Sequence, residues 1–256
     1  MVPRVDGKTD PEAEAGKGRG GSGVKQGTNI EILNSVQAVA ERAAAQMAAE
    51  AMEAIAERGR FVLAVSGGHT PWLMLRALAK LDLPWPRIEV FQVDERVAPD
   101  GHTDRNLTHL REAFLDRVPL PASQMHPMPV EAADLEAAAA EYGETLRRIG
   151  GTPAVLDLIH LGLGPDGHTA SLVPGDPALA VRDADVAVTR PYQGRRRMTL
   201  TYPAIGRARC VLWVVTGSEK ASMLTRLMKG DDAIPAGRVT SQRALIVTDT
   251  LPAQKV

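Results

Sequence analysis

Apolar residues run through this chain in two alternating rhythms. Ile32, Val36, Val39, Ala43, Met47, Ala51 and Ile55 recur at three- and four-residue intervals, the period of an amphipathic helix beginning near Ile30, and Gly59 is placed to end it. Directly afterwards FVLAVS (61–66) forms a short continuous apolar run, the signature of a buried strand. The alternation continues with a helix at 71–80, a strand at 88–94 (IEVFQVD), helices at 106–117 and 132–149, and a strand at 155–161. ADVAVT (184–189) and MTLTYP (198–203) read as further strands. CVLWVVTG (210–217) is a strong strand, 219–228 a helix, and ALIVTD (244–249) a closing strand. Strands separated by helices imply βαβ units and a largely parallel sheet covered on both faces. The expectation is therefore one α/β domain spanning residues 29–256. Residues 1–28 hold many Gly, Lys, Glu, Asp and Pro and almost no large apolar groups, so a disordered tail is expected there.

Composition narrows the partners. The chain has 256 residues, 44% hydrophobic and 24% charged, with a net charge of -1, so no global field attracts nucleic acid or an anionic membrane. The single cysteine, Cys210, excludes a disulfide framework and a multi-cysteine metal site, and its apolar surroundings read as burial. The first residues lack the apolar core of about 7–15 residues of a secretory signal. No run approaches the ~20 apolar residues of a membrane span, and a cytoplasmic protein is expected.

The densest chemistry lies in LDLIHLGLGPDGHTASLVPG (156–175). There a strand runs into a glycine-punctuated loop carrying Asp166 and His168, with a short helical segment expected from Thr169. Polar groups at the carboxyl end of a strand sit where α/β proteins bind ligands. A histidine there can take a proton from water, with Asp166 orienting the imidazole or the water. Gly162, Gly164 and Gly167 also fit G-x-G-x-x-G, but Pro174, Gly175 and Pro177 leave too short a helix for a dinucleotide crossover. In AVSGGHTP (64–71), Gly67 and Gly68 after Ser66 let backbone N–H groups approach an anion, with Thr70 expected as helix cap and Pro71 at the first position. The lysine and spacing of a nucleotide-triphosphate loop are missing.

VDERVAPDGHTDRN (93–106) places Asp94, Glu95 and Arg96 at a strand end, where at least one faces the cleft unless acid and base simply pair. His102 and His109 read as surface residues rather than metal ligands. GRRRMTLT (194–201) offers three arginines, of which Arg197 directly precedes a strand. TGSEKA (216–221) puts Lys220 in the first turn of a helix capped by Ser218, a place for a cation only if it faces an anion. Ser66, Arg197 and Lys220 at neighbouring strand ends suggest a phosphate pocket. No G-x-S-x-G elbow is present, which disfavours a serine hydrolase.

Taken together and in this order, SGGHTP, VDERVAPDGHTDRN, GLGPDGHTASLVPG, RRMTLT and TGSEKA resemble the 6-phosphogluconolactonase family, related to the glucosamine-6-phosphate deaminases, over roughly residues 30–250. The resemblance implies a modified Rossmann-like three-layer α/β sandwich. It also implies hydrolysis of 6-phospho-D-glucono-1,5-lactone in the oxidative pentose phosphate pathway, without metal or organic cofactor. By motif matching, His168 becomes the general base, with Asp166 and Arg96 as its catalytic companions. Arg96 belongs near the lactone ring, to orient substrate or stabilise the oxyanion. Ser66, Gly67, Gly68, Arg197 and Lys220 become phosphate ligands, and Asp94, Gly164 and Gly167 complete the pocket. The deaminases place a glutamate seven residues after the aspartate of their GxDGH motif. Val173 stands there in this chain, which favours a lactonase over an amino-sugar isomerase. A sugar-phosphate deaminase or isomerase and a non-catalytic sugar-phosphate sensor are the competing readings. The partner implied is a small phosphorylated lactone, and a monomer is compatible with a sequence that does not set the oligomeric state.

Overall fold

The computed structural model describes residues 28–253. The elements in chain order are β1 (Thr28–Ile32), α1 (Val36–Arg58), β2 (Phe61–Val65), α2 (His69–Leu78), β3 (Ile88–Gln92), β4 (Asp94–Arg96), α3 (Asn106–Ala113) and β5 (Met125–His126). There follow α4 (Leu135–Gly150), β6 (Leu158–Leu161), β7 (Val186–Val188), β8 (Arg197–Leu200), α5 (Tyr202–Gly206), β9 (Cys210–Val215), α6 (Ala221–Met228) and β10 (Ala244–Thr248). Seven strands form one parallel sheet in the order β1-β10-β9-β6-β2-β3-β5. A second, antiparallel sheet of three strands runs β4-β8-β7.

Helices cover both faces of the large sheet. On one face Val39, Ala43 and Met47 of α1 and Met74 and Leu75 of α2 bury against Leu63, Leu212 and Val214. On the other, Tyr142 and Leu146 of α4 and Leu224 and Leu227 of α6 bury with Phe91, Ile159 and Trp213, together with Met198 and Leu200 of the small sheet. Consecutive strand residues divide between these two clusters, so both faces of the strands are apolar, as their unbroken hydrophobic runs required. The result is the three-layer α/β sandwich that the resemblance implied.

Four local expectations change. The helical period does not extend back to Ile32. Residues 28–32 form an edge strand beside β10, with Ile32 43% exposed, and α1 starts only after Ser35, whose Oγ accepts the Ala38 N–H at 3.1 Å. Thr28 thus belongs to the domain, and the tail expected at 1–28 otherwise lies outside the described residues. Asp94–Arg96 leaves the large sheet and pairs with β8, setting Asp94 opposite Thr199 and Arg96 opposite Arg197. No helix follows His168. Ala170 takes a positive φ of 52°, Thr169 and Leu172 form a tight bridge, and Thr169 Oγ1 donates to the Gly162 carbonyl at 2.9 Å. Ser171 bonds Asp94 and Thr199 instead, so tertiary partners satisfy polar groups of this segment that a helical turn would leave facing outward. Finally, the strand expected through Pro203 ends at Leu200, and Thr201 caps the short helix α5.

Candidate active site

A cavity of about 560 Å³ opens at the carboxyl ends of β2, β6 and β9 and is closed on one side by the small sheet. His168, Arg96, Asp94, Arg197, Lys220 and the Ser66–Gly68 loop all line it, as does Gly164. Segments more than 150 residues apart in sequence thus converge because parallel strands release their loops at one edge.

His168 is held by the carboxylate behind it. Its Nδ1 lies 2.5 Å from Asp166 Oδ1, and its backbone N–H donates to the same oxygen at 3.1 Å. Nδ1–H donating to the carboxylate leaves the lone pair of the neutral imidazole on Nε2, which has no partner among the described residues. Partial burial pushes the Asp166 carboxyl up. The hydrogen bonds and charge of His168, with the Tyr192 hydroxyl at 3.0 Å from Oδ2, outweigh that and hold it below the ordinary carboxylate range. Asp166 is therefore a charged partner for an imidazolium.

Tyr192 was not foreseen. Its ring meets the imidazole edge-on, with centroids 5.6 Å apart, and the Arg197 guanidinium lies 5.0 Å from its centroid. The next residue, Gln193, has φ of 52°, and Gly194 has φ of 79°, the pair of left-handed residues a two-residue hairpin turn requires. Gln193 Oε1 accepts from Arg197 Nη2 at 3.1 Å. One tight turn thus contacts both the His168 ring and the Arg197 guanidinium. The expected strands at 184–189 and 198–203, flanking a Gln-Gly pair, carried that signal.

Of the three consecutive arginines, only Arg197 turns inward. Arg195 pairs with Asp104 at 2.8 Å and Arg196 with Glu136 at 3.1 Å. Arg197 is 4% exposed and its Nε has no partner among the described residues. Burial lowers its proton affinity, and Asp94 opposes that. Asp94 itself is buried, which pushes its carboxyl up against the Ser171 hydroxyl bond at 2.7 Å and the charges of Arg96 and Arg197. The acid-base neighbours at 94–96 do not pair with one another. Glu95 turns away to Arg105 at 3.3 Å and to the N–H groups that open α3, while Arg96 Nη1 reaches the Asp104 carbonyl and Asn106 Oδ1. Asn106, the first residue of α3, also lines the cavity and went unread, because a single amide at a helix start carries no periodic signal.

The Ser66 loop differs from expectation in its donors. Ser66 N–H donates to His160 Nδ1 at 3.3 Å and its hydroxyl donates to the His160 carbonyl at 3.1 Å. Both donors are committed, so Ser66 shapes the loop. The N–H groups of Gly67, Gly68 and His69, like that of Thr70, have no acceptor among the described residues. Burial depresses His160 to about 3, which keeps it a neutral acceptor under the loop. Gly67 is required by a close approach, since a Cβ there would lie 2.1 Å from Asn106 Oδ1. Gly68, not Thr70, is the α2 cap residue, and Thr70 Oγ1 instead meets Thr216 Oγ1 at 2.6 Å, tying the loops after β2 and β9 together. Pro71 is accordingly the third helical residue. Ser218 caps nothing. Residues 218–220 form a 3-10 turn that leaves Lys220 half-buried at the start of α6, its ammonium without a partner among the described residues.

Gly167 lies outside the cleft. Its φ of 81° and the Ile234 side chain, 2.6 Å from an added Cβ, explain the glycine, and its carbonyl accepts from Ala236 N–H. Val173 is buried and does not line the cleft either. His102 holds Asp104 N–H and Arg195, and His109 lies against Trp72; among the described residues no group of three or more His, Cys, Asp or Glu is placed to hold a metal ion. Cys210 is buried and its thiol is pushed up to about 11 by that burial.

A cradle of cations and free N–H groups beside a carboxylate-held imidazole is a donor set suited to an anionic small molecule, set at the loop edge of an α/β sheet. The chain belongs to the family described as glucosamine-6-phosphate isomerases/6-phosphogluconolactonase, whose model matches residues 34–248. It is 44% identical over 200 residues to a 6-phosphogluconolactonase of Synechocystis, covering 76% of this chain and 82% of that one. It is 37% identical over 205 residues to the 6-phosphogluconolactonase of Rattus norvegicus, covering 76% and 79%. The 6-phosphogluconolactonase structure from Thermotoga maritima superposes with a TM-score of 0.79 at 27% identity, covering 87% and 99%. A monomeric glucosamine-6-phosphate deaminase shares the fold, with a TM-score of 0.74 at 19% identity.

Proposed function

We propose that this cleft seats the phosphate of 6-phospho-D-glucono-1,5-lactone on Arg197, Lys220 and the Gly67–His69 N–H groups, and that His168 is the base that opens the ring. The protein is a lactone hydrolase of the pentose phosphate pathway, yielding 6-phospho-D-gluconate. One observation supports the assignment of roles above the rest. The imidazole whose Nδ1 is taken by Asp166 at 2.5 Å lines the same cavity as the two cations.

Anchoring the phosphate fixes C1 of the lactone near His168. Neutral Nε2 takes a proton from water as the water oxygen bonds C1, and the carbonyl π pair moves onto oxygen. Asp166 stabilises the imidazolium so formed. Arg96 lies on the same wall and supplies positive charge to the oxyanion. Collapse re-forms the carbonyl, breaks the bond from C1 to the ring oxygen, and returns the proton from Nε2 to that oxygen. The products are a carboxylic acid and a hydroxyl, with His168 neutral again. Asp94, buried against the cations, keeps the mouth from being uniformly positive and offers an acceptor to a sugar hydroxyl. A cytoplasmic location fits this reading, and among the described residues no helix is long and apolar enough to cross a membrane.

Steady-state assay of His168→Ala and Lys220→Ala tests the roles. Loss of the base lowers kcat by ~10²–10⁴-fold with KM little changed. Loss of the ammonium raises KM for the phosphorylated lactone and leaves the unphosphorylated lactone unaffected. An unchanged kcat in the first variant, or equal losses on both lactones in the second, overturns the assignment.

A further inference from the structure

At the opposite edge of the large sheet lies a second cavity of about 560 Å³, equal in volume to the cleft. Four arginines line it. Arg60, Arg87 and Arg209 stand immediately before β2, β3 and β9, and Arg58 ends α1. Two carboxylates share the cavity, and both are already engaged. Asp157 is 6% exposed. Its Oδ1 accepts from Arg58 Nε at 3.0 Å and lies 3.4 Å from Arg209 Nε, while its Oδ2 accepts the Val62 N–H at 2.8 Å. Glu89 Oε2 is 2.7 Å from His126 Nε2. The side chains of Arg60 and Arg87 have no hydrogen bond or ion pair among the described residues.

Helix-end neutralisation explains only part of this set. Arg58 occupies the last turn of α1, where a cation complements the helix dipole, and its Nη1 contacts Glu57. Arg60 and Arg87 hold no carbonyl among the described residues. Asp157, Glu89 and the Glu57 carboxylate that Arg58 also contacts offset three of the four cations, which leaves one positive charge in excess and two guanidinium groups, Arg60 and Arg87, that face the concavity with no carboxylate on them among the described residues. Asp157 grips Arg58 and Arg209 through Nε, which leaves guanidinium nitrogens of both open beyond the grip.

We infer that this cavity is a second anion site, taking a small molecule with two or more phosphate groups. Guanidinium forks match phosphate oxygens two at a time, and several forks held around one hollow suit a polyphosphate better than a single monoanion. The volume admits a ligand of nucleotide size. The site sits at the far ends of the strands whose near ends carry the catalytic loops.

Calorimetric titration of the full chain with inorganic pyrophosphate tests this, using wild type, Arg60→Gln/Arg87→Gln and Lys220→Ala. Wild type is expected to show a binding event that the double variant weakens at least tenfold and that Lys220→Ala leaves in place. Both replaced arginines are exposed, so the double variant should melt as wild type does and keep kcat/KM on the lactone within twofold. Identical titrations of wild type and the double variant overturn the inference. So does competition by chloride as effective as by pyrophosphate at equal ionic strength, which marks an adventitious ion only. Failure of the catalytic assignment leaves this difference between variants untouched, so the two tests fail separately.

Discussion

Gly164 offers the sharpest perturbation of His168, the base in the proposed reaction. A Cβ on it would lie 2.1 Å from His168 Nδ1, 2.2 Å from Cε1 and 2.6 Å from Cγ. Ordinary van der Waals contact begins at 3.4 Å, so in Gly164→Ala the ring must retreat by more than about 1 Å. The backbone at 164 is outside the left-handed region, and the group that must yield is a partly exposed imidazole rather than main chain. The fold should therefore hold while the ring leaves Asp166, breaking a 2.5 Å hydrogen bond. A misplacement of about 1 Å costs ~10²-fold in rate, or about 2.7 kcal/mol of transition-state stabilisation. That is comparable to the lower end of what a general base contributes. Lactone hydrolysis followed by acid release in a weakly buffered indicator assay reads kcat and KM directly, and a thermal melt run alongside reads the fold. The expected result is kcat down ~10²-fold, KM within about threefold because the cationic ligands are untouched, and a melting temperature near wild type. A normally melting variant with kcat within twofold of wild type would refute the reasoning.

Tyr192→Phe removes the hydroxyl that shares the Asp166 charge, so the carboxylate grips the imidazolium more tightly. The acid limb of the kcat/KM profile should move to higher pH; an unmoved limb contradicts a positioning role for Tyr192. His160 carries a folded-state value of about 3 against ~6.5 unfolded, so the unfolded chain takes the proton first. Its contribution to stability is intact above pH ~6.5 and is lost as pH falls toward 3, amounting to about 2 kcal/mol by pH 5. Urea midpoints at pH 7 and pH 5 should show a smaller difference in His160→Gln than in wild type, and equal differences would discard the argument.

Long apolar runs made the parallel sheet legible, because strands buried on both faces cannot alternate with polar residues. Edges and crossings were harder. Ile30 and Ile32 belong to a strand, yet Ile32 and Val36 are also spaced four apart, so the helical count absorbed them. Only the Asn34–Ser35 break and its cap separate the two elements. Asp94–Arg96 read as the end of one strand and is a piece of another sheet, since pairing with β8 depends on residues a hundred positions away. The site followed the same division. That His168, Arg197 and Lys220 meet in one cavity, with Asp166 behind the imidazole, was readable because a strand end followed by glycines or charge marks a loop at the sheet edge. The competition for donors was not. Ser66 looks like an anion ligand until His160, itself hidden inside an apolar strand, claims its hydroxyl and N–H. Gly167 looks like part of an anion loop until Ile234 packs against it.

Val173 bears on how the two activities of this family could have diverged. An acid at that position, the feature by which the resemblance separates amino-sugar isomerases from lactonases, would here be placed in a dry interior 5% open to solvent. An unpaired carboxylate in such a place costs several kcal/mol or stays protonated. Exchanging Val173 alone for an acid would therefore strain the hydrolase before its carboxylate could reach the cleft, from which the side chain at 173 is shut off by the 169–175 turn.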